Sequence, residues 1–135
     1  MKSIKIKNKD LDVLVDATSI KLTFERSRAR NQFIKVLQPY LELFDKNKSE
    51  LILSLCEKED GKPKMTEDNK FIFKNKKIDI EYPKLLDEEV VIDVTPSLKK
   101  VLPEIVSIIK KSDKEWTAAE SLSLERIIEA IESVK

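Results

Sequence analysis

Residues 24–56 read FERSRARNQFIKVLQPYLELFDKNKSELILSLC. Within this stretch Phe33, Leu37, Tyr40, Leu41 and Phe44 recur at spacings of four, three, one and three. That is the stripe of an α-helix packed on a core. Ile34, Val36 and Leu43 widen the apolar face, so more than one neighbour must cover it. From Phe24 to Asp45 such a helix is about 33 Å long, at about 1.5 Å per residue. Pro39 interrupts it, but the apolar period continues on both sides, which reads as a kink and not a stop. Thr23 and Ser27 both qualify as its N-cap. The polar run Asp45-Lys46-Asn47-Lys48-Ser49 reads as a break, with Ser49 capping a shorter helix that ends near Glu57.

The head of the long helix is Glu25-Arg26-Ser27-Arg28-Ala29-Arg30. Counting back from Phe33, Arg30 and Arg26 fall at three and seven residues, at or beside the core stripe. Arg28 falls with Gln32 and Lys35 on the polar side. Arginines in a first helical turn oppose the helix dipole, so a compensating partner or a function is expected there. One reading is structural, a carboxylate from elsewhere in the domain paired to the arginine fork. The second is an anion or acidic-partner site formed by Arg26, Arg28 and Arg30 at a helix start. The third is a solvated run of charge.

The 135 residues suit one domain with a real core. Lysine plus arginine number 26 against 25 acids, so no global field points to nucleic acid or membrane. A composition 38% charged and 41% hydrophobic suits a folded, helix-rich, well-solvated domain. The single glycine argues against a phosphate-cradling loop. There is no histidine, which removes the commonest general base and most zinc sites. Cys56 is alone, so no internal disulfide forms, and it sits in an apolar run where a packed thiol is expected. No apolar run is long enough for a membrane span, and no apolar signal region follows the lysine-rich start. A cytoplasmic protein with no catalytic residue, cofactor or metal is expected.

Along the chain, Ser3-Ile4-Lys5-Ile6-Lys7 alternates like a short strand. Asn8 is placed to cap a helix carrying Leu11, Leu14 and Val15. Lys58-Glu59-Asp60-Gly61-Lys62-Pro63 is punctuation. Lys64-Met65 and Phe71-Ile72-Phe73 flank a polar turn, which predicts a small hairpin. Ile78, Ile80 and Tyr82 alternate like a strand, yet Tyr82 onward also suits a helix with Pro83 in its first turn. Val90-Val91-Ile92-Asp93-Val94 is β-branched and reads as a strand. Thr95-Pro96 starts a helix striped by Leu98, Val101, Leu102, Ile105, Val106 and Ile109. Thr117 with Glu120 is a capping box for a last helix striped by Leu124, Ile127, Ile128, Ile131 and Val134.

Three further sets of residues bear on function. The acids Asp79, Glu81, Asp87, Glu88, Glu89 and Asp93 lack calcium-loop spacing and read as solvated charge. Among them Glu88, Glu89 or Asp93 is offered as the countercharge of Arg26 or Arg30. Tyr40, Phe44 and Trp116 are candidate anchors for a partner, against the plainer reading that they pack inside. The arginines with Lys35, and lysines 70, 74, 76 and 77, form basic patches diluted by nearly equal acid, a poor match to nucleic-acid binding.

Ile6-Lys7-Asn8, Ser27-Arg28-Ala29-Arg30, the Glu57 to Lys62 punctuation and Leu85-Leu86-Asp87-Glu88-Glu89-Val90-Val91-Ile92 occur in an order that resembles a family of small proteins of unknown function. That family comes from phages and prophages of low-GC Gram-positive bacteria, and the resemblance spans nearly the whole chain. Pro83 and the alternation of residues 78–82 depart from it, since the family is helical there. The resemblance implies a phage-encoded, cytoplasmic viral protein in the bacterial host, without assigned catalytic residues.

The sequence therefore predicts a single α+β domain over residues 1–135, predominantly helical. It has a kinked central helix, a C-terminal antiparallel helix pair and a small β element drawn from residues 64–94. The function expected is non-enzymatic protein–protein interaction, in virion assembly or inhibition of a host factor. The alternatives are a homodimer sharing the apolar face of residues 33–44 or 98–109, and a nucleic-acid or nucleotide binder using Arg26, Arg28 and Arg30.

Overall fold

A computed structural model describes residues 2–134. Its elements in chain order are β1 (Ser3–Lys7), α1 (Asn8–Thr18), α2 (Phe24–Leu55), β2 (Lys58–Glu59), β3 (Lys62–Pro63), α3 (Ile78–Asp87), β4 (Glu89–Asp93), α4 (Pro96–Lys111) and α5 (Ala118–Glu132). The fold is α+β and mainly helical.

The central helix is longer than the sequence suggests. α2 runs unbroken through Pro39 and through the polar run 45–49 for 32 residues, about 48 Å. The predicted break there is absent because the run holds neither glycine nor proline. Its lysine, asparagine, aspartate and serine cost little in an exposed helix, and helix growth from an existing turn is cooperative. Thr23 is the N-cap by backbone geometry, with no side-chain cap bond, while Ser27 lies inside the helix.

The expected stripe is the one that packs. Phe33, Leu37 and Phe44 are buried, and Tyr40 and Leu41 are half-buried against the core. α4 buries Leu98, Val101, Leu102, Ile105 and Ile109 with Ile108, and α5 buries Leu124, Ile127 and Ile131. The two caps read from sequence are both formed. Thr95 accepts from Leu98 N–H at 3.1 Å, and Thr117 and Glu120 make a reciprocal capping box. α4 packs chiefly on α2, and α5 chiefly on α1. The two C-terminal helices also touch each other, and Lys110 Nζ lies 3.4 Å from Glu132 Oε1. The faces 33–44 and 98–109, offered above for a homodimer, are thus largely covered within one chain.

The β structure differs most from expectation. β4 does not join the 64–73 hairpin; it pairs antiparallel with β1, Ile4 opposite Ile92 and Ile6 opposite Val90. Both strands bury one face on the helices. The hairpin itself is present as a Met65–Phe71 bridge, with Asn69 at φ 60 in its turn. Ahead of it, Asp60 and Gly61 sit at φ 53 and 76, joining β2 to β3. Two central residues with positive φ are the signature of a tight hairpin turn, and Asp-Gly is among its best sequences. The segment read as punctuation is therefore itself a hairpin.

Residues 78–82 are helical. Ile78, Tyr82 and Leu85 also fit a helical stripe, and α3 lays it against α2. Pro83 is inside the helix and not in its first turn. Asn75 Oδ1 accepts from Lys77 N–H at 2.8 Å just ahead of it. Asn8 is not a cap either; Lys7 holds that position. Asn8 is buried, its amide donating to Leu85 O at 2.9 Å and its backbone N–H to Glu88 O at 2.9 Å. It ties α1 to the end of α3.

Candidate functional site

The three arginines heading α2 are driven apart by the helix period. Arg26 and Arg30 turn inward and are half-buried, and Arg28 is exposed. Arg26 Nε donates to Glu104 Oε1 on α4, and its Nη2 lies 3.5 Å from Ser107 Oγ. The countercharge is thus not Glu88, Glu89 or Asp93. The sequence did carry a signal for it, since Glu104 is the one acid in an otherwise apolar and basic helix.

Arg30 finds no carboxylate among the described residues. Its Nη1 donates to Ile20 O at 2.7 Å and Thr18 O at 3.3 Å, and its Nε to Asn31 Oδ1 at 3.4 Å. Those carbonyls lie at the end of α1, where peptide oxygens lack helical donors and the dipole is negative. Arg30 is a cap for another helix. Such a partner is invisible to a search for acids.

Arg28 remains on the outside, 6.0 Å from the ring of Phe24, which is 77% exposed. With Gln32 and Lys35 it forms the polar face read from sequence. Lys100 of α4 stands across from them. Together with Asn31 and the floor residues Ala29 and Val101 they line an open groove between α2 and α4, with Glu25 at its rim. Among the described residues, Arg28, Lys35 and Lys100 make no ion pair with a carboxylate. Three cations therefore line one groove against a single acid, Glu25, and none of them is ion-paired among the described residues. An anion entering it meets the whole set, and salt screens that attraction.

The aromatic anchors proposed from sequence are largely interior. Phe44 is only 5% exposed and out of reach of a partner. Tyr40 is half-buried, and its hydroxyl donates to Val91 O at 3.1 Å. In the β1–β4 ladder Val94 N–H bonds Lys2 O and Asn8 N–H bonds Glu88 O. Even-numbered residues therefore exchange the ladder bonds, and Val91 O faces the outer edge of β4. Tyr40 closes that edge position. Trp116 is half-buried against the core, with Lys114 Nζ 5.9 Å from its ring.

Sequence reading missed the strongest charged contact. Arg126 of α5 grips Asp10 of α1 bidentately, Nε to Oδ2 at 3.0 Å and Nη2 to Oδ1 at 2.7 Å, while Ser123 Oγ accepts at 3.0 Å. The hydrogen bond to Asp10 holds the Arg126 guanidinium pKa above its ordinary value. The signal was available, because Asp10 shares a helical face with Leu14 and Ala17. The acid run is divided among elements. Asp87 ends α3 beside Lys9 at 3.0 Å and Lys7 at 3.7 Å, whose bonds and charges hold its carboxyl below the usual range. Among the described residues no three acids or thiols converge as a metal-holding group.

No protein-family model, curated protein or solved structure matches this chain.

Proposed function

We propose that the chain is a non-enzymatic interaction module that binds an acidic segment of a partner protein in the groove between α2 and α4. The observation that carries this reading is the set of cations Arg28, Lys35 and Lys100, without an ion pair among the described residues, along one groove, while the neighbouring Arg26 and Arg30 are engaged inside the fold. The amides of Asn31 and Gln32 add donors suited to carboxylates. The composition supports a binding role over catalysis, with no histidine and a single thiol that is fully buried. The ordered motifs that resemble a phage family give the finer form of the proposal, a phage-encoded protein that docks a virion or host protein.

A protein partner is favoured over nucleic acid because the patch is short and the chain carries no basic excess, 26 lysine and arginine against 25 acids. Fluorescence anisotropy with labelled decaglutamate and with a ten-residue oligothymidine tests this. Decaglutamate should bind in a salt-dependent manner, and Arg28→Glu with Lys100→Glu should weaken it at least about tenfold with an unchanged circular dichroism spectrum. Equal binding by the double variant ends the proposal. Tighter binding of the oligothymidine moves the groove to nucleic acid.

A further inference from the structure

The other flank of α4 carries a second cavity, and it is apolar. Leu102 and Ile131 form its floor, Pro103 and Val106 its wall, and Val134 closes one side. Its volume is about 240 Å³. A protein cavity of roughly 150 Å³ admits a benzene ring, so this one has room for one large apolar side chain. The rim is basic. Lys99 stands there without an ion pair among the described residues, and Lys110 is bridged to Glu132 at 3.4 Å. α4 is the common wall between this pocket and the basic groove, with Lys99 and Lys100 as sequence neighbours on either side.

Resting on the groove reading above, we infer that the partner segment is acidic and carries one large apolar side chain, leucine or an aromatic, that seats in the α4–α5 pocket. Charge complementarity selects that occupant, because each opening has more lysine and arginine than acid: Arg28, Lys35 and Lys100 against Glu25 at the groove, and Lys99 and Lys110 against Glu132 at the pocket. The spacing follows from the helix. Lys100 and Val106 are six residues apart, about 9 Å along the axis, and about 120° apart around a rod of roughly 10–12 Å diameter, so about 13 Å separates them over the helix surface. An extended peptide covers that distance in about four residues. The apolar residue therefore follows the acid held at Lys100 by about four positions. A second copy of the chain is a poorer occupant. One acidic and apolar segment it offers is Asp79-Ile80-Glu81, where Ile80 is 59% exposed, but Glu81 is already bridged to Lys84 at 3.6 Å.

The test uses the full chain with labelled hexaglutamate and a series in which one leucine follows the acids after zero to six serines. Peptides with the leucine about three to five positions on should bind about five- to tenfold more tightly than hexaglutamate, the gain from burying part of one aliphatic side chain. In the unmodified protein their addition should shift the methyl resonances of Val106 and Ile131, which hexaglutamate leaves in place. Val106→Trp should remove the leucine gain and keep hexaglutamate binding. Hexaglutamate binding with no gain at any spacing overturns the pocket inference and leaves the groove. Leucine-dependent methyl shifts without hexaglutamate binding support the pocket and overturn the groove. Binding by neither peptide overturns both. Self-association that Ile80→Glu abolishes assigns the pocket to a second copy and overturns the inference.

Discussion

Asp10 is 2% exposed and carries a full countercharge from Arg126. A buried carboxylate is tolerated because two guanidinium N–H groups replace the water it lost. Removing one partner is not symmetrical. Arg126→Ala strands a buried acid and should cost about 2–4 kcal/mol in urea denaturation at neutral pH. Asp10→Ala should cost less, since the Arg126 side chain is 39% exposed and can turn to water. Equal losses would show that packing, not charge, dominates the site. Asp87 offers a pH test of opposite character, on the surface. Its pKa is lowered by Lys9 and then Lys7, so its contribution to stability is present above the ordinary carboxylate value of about 3.9. It is lost as pH falls through the lower folded value. An NMR titration of Asp87 should show a midpoint below the ordinary value, and Lys9→Met should move it back up. These two sites differ in how far sequence exposed them. Asp10 stood on an apolar stripe and could be recognised as buried, but nothing local named Arg126 as the group that meets it.

Elements in this chain are joined by side chains that cap or close their neighbours. Arg30 belongs to α2 but satisfies carbonyls at the end of α1. Arg30→Met should lower stability by about 1–2 kcal/mol through that lost cap, read by chemical denaturation. An unchanged midpoint would mean water replaces the arginine fully. The β2–β3 turn is a local case. Gly61 sits at φ 76, and a methyl group in place of its hydrogen would meet nothing within 4 Å, so an alanine there makes no clash. Only the left-handed backbone penalises it, by about 1 kcal/mol. Gly61→Ala should therefore speed amide exchange around residues 57–64 while leaving the global unfolding midpoint nearly unmoved. The helix stripes, both threonine caps of α4 and α5, and the β1 and β4 strands were legible because each is written in local spacing. The continuity of α2 was not. Polar composition resembles a loop, while a helix stops only where a residue or a lost contact stops it.

The molecule has its main core where β1, β4, α1, α4, α5 and the first half of α2 meet. Phe44, Cys56 and Leu85 are buried outside that cluster, where α2 extends toward α3 and the hairpins. Segments with few buried apolar groups open at lower free energy. Hydrogen exchange should accordingly show residues 56–77 exchanging faster than α1, α4 and α5, and equal protection would indicate one cooperative unit. Spacing along the chain settled that most of it is helical, which side of each helix is apolar and where two caps form, because those depend on residues within one or two turns. Folding in three dimensions settled that β4 pairs with β1, that Glu104 answers Arg26, that α1 ends on Arg30, and that Arg28, Lys35 and Lys100 share a groove. Those outcomes join residues that are mostly tens of positions apart. They follow from which apolar faces cover one another, and periodicity says nothing about that choice.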